Sequence, residues 1–170
     1  EHRGALKAGR TAGAWEIFRD DKITQVAVSW VLTTVFVRFC EDNGLLGPVW
    51  IAGPKARRQE ALDAELAYFR KYPTETSREW LLQAVRYLER VPATAGLVDE
   101  YAPLRQLGIS GDMATEILKF WRESDEHGEL RFDFADPELS TRFLGDLYQD
   151  LSDHAKKTYA LLQTPVFVEE

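Results

Sequence analysis

Residues 21–43 read DKITQVAVSWVLTTVFVRFCEDN, and the fold turns on how this stretch is taken. Ile23, Val26, Ala27, Trp30, Val31, Thr34, Val35, Val37 and Arg38 combine helical spacing with apolar runs, and from Val26 to Cys40 most of the circumference is apolar. That pattern describes a central helix buried on several sides. The β-branched residues make a strand the rival reading; the length and the i, i+4 apolar pairs favour a helix. A membrane span needs about 20 apolar residues. This run is shorter and is broken by Ser29, Thr33, Thr34 and Arg38, so a span is not expected. Asn43-Gly44 supplies a helix stop with glycine in the left-handed conformation.

Outward from this helix, the chain is punctuated in a helical rhythm. Residues 14–20 form a short amphipathic turn before it. Residues 45–54, with two glycines and two prolines, form a loop in which Trp50 and Ile51 pack inward as anchors. Residues 55–72 read as an amphipathic helix ended by Pro73. Thr76-Ser77-Arg78-Glu79 has capping-box spacing, and Trp80, Leu81, Ala84, Tyr87, Leu88 and Val91 follow at helical period until Pro92. Residues 93–107 are irregular, with one helical turn near 96–101. Ser110 or Asp112 opens a helix bearing Ala114, Ile117, Leu118 and Trp121. Leu130, Phe132 and Phe134 alternate as in a short strand or extended segment. Asp136-Pro137 is a cap and first-turn pair, and Phe143, Leu144, Leu147, Tyr148 and Leu151 mark another helix. A polar turn, 152–158, leads to Tyr159-Ala160-Leu161-Leu162. The expectation is an all-α, multi-helix bundle domain with at most one short strand or hairpin, in which tryptophans 15, 30, 50, 80 and 121 each anchor the core.

Composition bounds the chemistry. The 170 residues are 45% hydrophobic and 29% charged, an ordinary globular balance. Cys40, the sole cysteine, excludes an intramolecular disulfide and a cysteine-based zinc site. It lies in the apolar helix, where burial makes a thiol inert. His2, His127 and His154 are too far apart in sequence to form a local metal motif. There is no G-x-G-x-x-G, H-E-x-x-H or G-x-S-x-G. The acid pairs Asp20/Asp21, Glu41/Asp42 and Asp125/Glu126 read as solvated helix ends rather than acid/base pairs. Net charge is -7: residues 1–60 hold nine Lys/Arg against seven Asp/Glu, and residues 61–170 hold twelve against twenty-one. So acidic a second part does not neutralise phosphates well. Lys55, Arg57 and Arg58 form the basic cluster available to DNA; a short charge run of this kind more often marks a solvated helix start. Without an initiator Met, and with Thr164-Pro165 opening a helix that has room for about six residues, the chain reads as a fragment severed where a new element begins.

Residues 29–44 (SWVLTTVFVRFCEDNG), 51–54 (IAGP) and 143–170 (FLGDLYQDLSDHAKKTYALLQTPVFVEE) closely resemble the N-terminal region of the PglX family, the adenine-specific DNA methyltransferases of type-2 BREX phage-defence systems. The resemblance runs over nearly the whole chain and is weakest between 60 and 125. It implies an N-terminal helical domain over 1–158 and, from 159 to 170, the start of a truncated S-adenosylmethionine-dependent methyltransferase domain. It further implies a bacterial cytoplasmic protein that methylates the N6 amino group of adenine, with DNA and other BREX proteins as partners. The family's cofactor glycine loop and Asn-Pro-Pro-Tyr-type motif do not occur in these residues. Its Thr-Pro motif at the methionine end of S-adenosylmethionine does, as Thr164-Pro165 with the aromatic Tyr159 before it. A helix N-terminus suits the cofactor carboxylate. From another class, a non-catalytic helical protein-interaction module would present the acidic Asp125, Glu126 and Glu129 region to a basic partner.

Overall fold

The computed structural model describes residues 2–9, 14–92 and 94–135. Six helices occur among them: α1 His2–Lys7, α2 Trp15–Asp42, α3 Arg58–Lys71, α4 Ser77–Arg90, α5 Pro103–Gln106 and α6 Gly111–Trp121. Extended structure among the described residues is confined to one antiparallel bridge, Ser124 to Leu130. The all-α expectation with at most one hairpin element is met.

The 28-residue α2 is the spine. It takes in the turn expected separately at 14–20, because nothing between Asp20 and Lys22 breaks a helix. Its start is weak: Ala14 makes no capping bond. Its end is strong. Gly44 sits at φ +66, its N–H reaches the Glu41 carbonyl (3.2 Å), and the Leu45 N–H reaches the Cys40 carbonyl (2.8 Å). This is the two-bond glycine stop that Asn43-Gly44 foretold. By length and composition alone α2 could cross a membrane; half of its most apolar window is instead buried within the protein.

The remaining helices pack where their apolar stripes dictate. The cap predicted at Thr76 forms: the Glu79 carboxylate accepts from the Thr76 N–H (2.9 Å) and hydroxyl (2.6 Å). On α4, Trp80, Leu81, Ala84, Val85 and Leu88 are buried against Ala114, Leu118 and Trp121 of α6. Each fully buried side chain of Leu or Val size contributes about 1.5–3 kcal/mol before conformational entropy is subtracted. Ser110 caps α6, accepting from the Met113 N–H (3.1 Å). Helices α4 and α6 start close together: a Cβ on Gly111 would stand 2.9 Å from Thr76. The basic stretch begins with a 3-10 turn, Lys55–Arg57, before α3. The irregular 93–107 segment holds a 3-10 turn at Ala95–Leu97 and one turn of helix, α5. Four tryptophans anchor the core as expected. Trp15 does not: it is 51% exposed, lying beside His2 and Phe18 at the uncapped end of α2.

Candidate functional site

The densest polar chemistry lies at the C-terminal end of α2. Arg38, Glu41 and Asp42 fall at i, i+3 and i+4, so they share one helix face. Arg38 and Glu41 are wholly buried. Arg38 Nη1 meets Glu41 Oε2 at 3.2 Å and Nη2 meets Asp42 Oδ2 at 2.7 Å. The reading of Glu41/Asp42 as a solvated helix end is therefore wrong. The loop 49–53 folds down over the pair instead of leaving it to water.

Glu41 organises that loop. Its Oε1 accepts the backbone N–H groups of Trp50 (2.6 Å) and Ile51 (2.9 Å), and its Oε2 those of Ala52 (3.1 Å) and Gly53 (2.8 Å). With Arg38 added, the carboxylate has no free lone-pair direction. Three of the loop carbonyls are held by side chains as well. Gly53 accepts from Arg38 (3.2 Å), Ile51 from Arg122 Nε (2.6 Å), and Trp50 from both the Trp80 indole (3.0 Å) and Arg122 Nη2 (3.3 Å). Arg122 Nη1 is paired with Glu65 at 2.5 Å. A buried loop must find partners for its backbone groups; here side chains supply them. Gly53 stands at φ +67, where a Cβ would lie 3.2 Å from the Arg57 carbonyl oxygen. Glycine is required there for both reasons.

The same helix end captures the last described segment. Arg38 Nη2 donates to the Phe132 carbonyl (3.3 Å), the Phe134 N–H to Asp42 Oδ2 (3.0 Å), and Asn43 Nδ2 to the Phe134 carbonyl (3.0 Å). Phe132 stacks on Phe120 with ring centres 4.6 Å apart, and Phe134 packs against Trp121. Burial pushes the Asp42 carboxyl up from its ordinary value, against the Phe134 N–H and the Arg38 guanidinium, which pull it down.

A second, exposed cluster lies on the rim. Lys55 pairs with Glu129. Arg58 donates to the carbonyls of Gly128 (3.3 Å) and Arg122 (3.4 Å) and to the Ser124 hydroxyl (3.0 Å). Arg57 pairs with Glu60 at 2.6 Å and also donates to the Leu46 and Gly47 carbonyls. The three cations of the sequence cluster thus clamp the 124–130 hairpin and the 46–47 backbone onto the start of α3. Of the acidic face considered for a basic partner, Asp125 accepts the His127 and Glu129 N–H groups (both 2.9 Å) and Glu129 takes Lys55. Glu126 faces water.

Cys40 is buried and its thiol is pushed up to about 11, first by burial and then by Glu41. Tyr68, pushed up to about 12 by burial and by Glu75, hydrogen-bonds Glu75 and accepts from Gln83 (3.1 Å). No group of three or more His, Cys, Asp or Glu that could hold a metal ion occurs among the described residues. Tyr159, Thr164 and Pro165, with His154 and the 159–170 boundary, lie outside the described residues.

Arg38, Glu41 and Arg122 are what residue-by-residue reading missed. The local signal for the first two was an arginine inside an apolar run, placed three and four residues before two acids. The blocks VFVRFCEDN and IAGP, which carry much of the resemblance, turn out to be the two halves of one hydrogen-bonded lock.

No family model matches the chain, and no solved structure matches it. Among curated proteins, the chain is 48% identical over its whole length to the adenine-specific methyltransferase PglX of Streptomyces coelicolor. The likeness to PglX therefore holds from end to end of these 170 residues. They span 15% of that relative's length.

Proposed function

We propose that this chain is the N-terminal helical domain of an adenine-specific DNA methyltransferase, and that it supports a catalytic domain encoded beyond these residues. The supporting observation is the end-to-end 48% identity to a PglX that is several times longer. The polar centre fits that reading. Glu41 is saturated by backbone donors and sealed from solvent, so it orders a loop and has no lone pair to lend a substrate.

On this reading the whole protein uses S-adenosylmethionine to methylate the adenine N6 amino group and acts in the bacterial cytoplasm within a BREX phage-defence system. Thr164-Pro165, preceded by Tyr159, opens the catalytic domain and reaches the cofactor only once that domain is complete. Titration calorimetry with S-adenosylmethionine tests this. The 170-residue chain is expected to give no saturable heat, and the same chain continued into its downstream sequence is expected to bind. Saturable binding by the 170 residues alone would overturn the proposal.

DNA contact by Lys55, Arg57 and Arg58 belongs to the same proposal, with unequal roles. The Lys55 side chain is 77% exposed, and a surface pair such as Lys55–Glu129 is worth at most about 1 kcal/mol, so phosphate displaces it cheaply. Arg57 and Arg58 would have to abandon backbone carbonyls and are better read as scaffold. A duplex gel shift at low salt should weaken in Lys55→Ala and fall steeply as salt rises. No shift at any salt would favour the protein-interaction module.

A further inference from the structure

The acidic balance of residues 61–170 conceals a stretch of the opposite sign. Residues 70–90 hold five Lys/Arg against three Asp/Glu, and two of those acids are already neutralised. Glu79 is held in the α4 cap and by Arg78 (2.6 Å), and Glu89 pairs with Arg105 from outside the stretch (2.9 Å). That leaves Arg70, Lys71, Arg86 and Arg90, all exposed, against the carboxylate of Glu75, to which the Tyr68 hydroxyl donates. Among the described residues, Arg70, Arg86 and Arg90 have no hydrogen bond or ion pair, and Lys71 has only the face of the Tyr72 ring (5.1 Å). The end of α3 and this face of α4 meet at Tyr68. Its ring lies 5.0 Å from that of Tyr72 and 5.3 Å from that of Trp80, its hydroxyl accepts from Gln83 of α4 (3.1 Å), and the Arg86 charge acts on the same hydroxyl. Arg90 follows Arg86 by one turn on the same face of α4.

We propose that the end of α3 and the exposed face of α4 form a phosphate-binding surface for duplex DNA, with Arg86 and Arg90 as its principal contacts and Arg70 and Lys71 at its edge. A guanidinium meets phosphate oxygens in pairs, which suits three arginines to this ligand. Unlike Arg57 and Arg58, these cations give up no carbonyl or carboxylate to reach it. None of the exposed large hydrophobic side chains among the described residues belongs to α4. The face therefore lacks the apolar anchor that a peptide partner or a lipid surface would use. The choice of duplex DNA as the polyanion rests on the methyltransferase reading; the patch itself rests on the charges.

Fluorescence anisotropy of a labelled duplex, titrated with the 170-residue chain across a salt series, tests this. Four phosphate contacts contribute about −3.6 to the slope of log affinity against log salt. Arg86→Ala with Arg90→Ala should weaken binding at least about tenfold at low salt and flatten the slope by about 1.8. The thermal midpoint should not move, because neither side chain has a partner to lose. Arg86→Lys with Arg90→Lys should keep the native slope. Lys119→Ala, which removes a surface cation paired with Glu116, should leave binding unchanged. A double Ala variant with native affinity and slope would overturn the patch and leave the methyltransferase reading to its own calorimetric test. No duplex binding by the native chain at low salt would overturn it too, and capture of polyglutamate in place of the duplex would make the partner an acidic protein instead.

Discussion

The lock at the end of α2 and the clamp at the start of α3 use the same charged groups in opposite ways. In the lock, Arg38 and Glu41 are removed from water, and nearly every partner is either backbone or another buried charge. In the clamp, Lys55, Arg57 and Arg58 stay at the surface and pair with carboxylates and carbonyls that solvent also reaches. Removing one partner in the lock strands the others in a medium that cannot solvate them. Removing one partner in the clamp lets water take its place. Position, rather than the number of contacts, decides which set specifies the fold.

The sharpest break between the two should come from Glu41→Ala. It leaves four buried N–H groups without their acceptor and Arg38 with Asp42 as its remaining carboxylate partner, and denaturant unfolding should show a loss of about 3–5 kcal/mol. Gly53→Ala should follow at about 1–3 kcal/mol, through the left-handed backbone and the crowding against Arg57. Both should lower the unfolding midpoint.

Between the extremes sits Glu79, partly shielded in the α4 cap and held down to about 2, chiefly by the Thr76 hydroxyl. A carboxyl with a depressed folded-state value stabilises above its unfolded value, near 4.5, and that contribution fades as pH falls through about 2. Glu79→Gln should therefore cost about 0.5–2 kcal/mol at pH 7. The gap from the native chain should close as thermal melts are taken from pH 5 down to pH 2. Asp42 titrates with the opposite sign. Its carboxyl is raised by burial, so its contribution is full at low pH and declines as pH rises through its folded value. The smallest effect belongs to the clamp: Lys55→Ala should change stability by no more than about 1 kcal/mol, and a change of lock size would erase the distinction.

The helical architecture was readable because its signals are local. Gly44 stops α2, Thr76 and Glu79 cap α4, Ser110 caps α6, and the prolines at 73 and 92 end helices. The lock was not readable, because what buries Glu41 and Asp42 arrives by a loop folding back and by segments distant in sequence, neither of which helical period reports. Glu41 waits for Trp50 through Gly53, Asp42 for Phe134, and the loop carbonyls for Arg122. An acid pair at a helix end looks alike whether water or a loop receives it. Trp15 misled for the converse reason: an aromatic at helical spacing signals burial only where something packs on it, and at the uncapped start of α2 its ring partners among the described residues are His2 and Phe18.

The central claim is that one buried carboxylate, rather than a helix or a sheet, holds the 49–53 backbone in place. Native-state amide hydrogen exchange reads this directly, residue by residue. The Trp50, Ile51, Ala52 and Gly53 amides should exchange only through global unfolding, as slowly as the most protected core amides of α4, and should lose that protection together in Glu41→Gln. Exchange of these four at the free-loop rate in the native chain would contradict the lock.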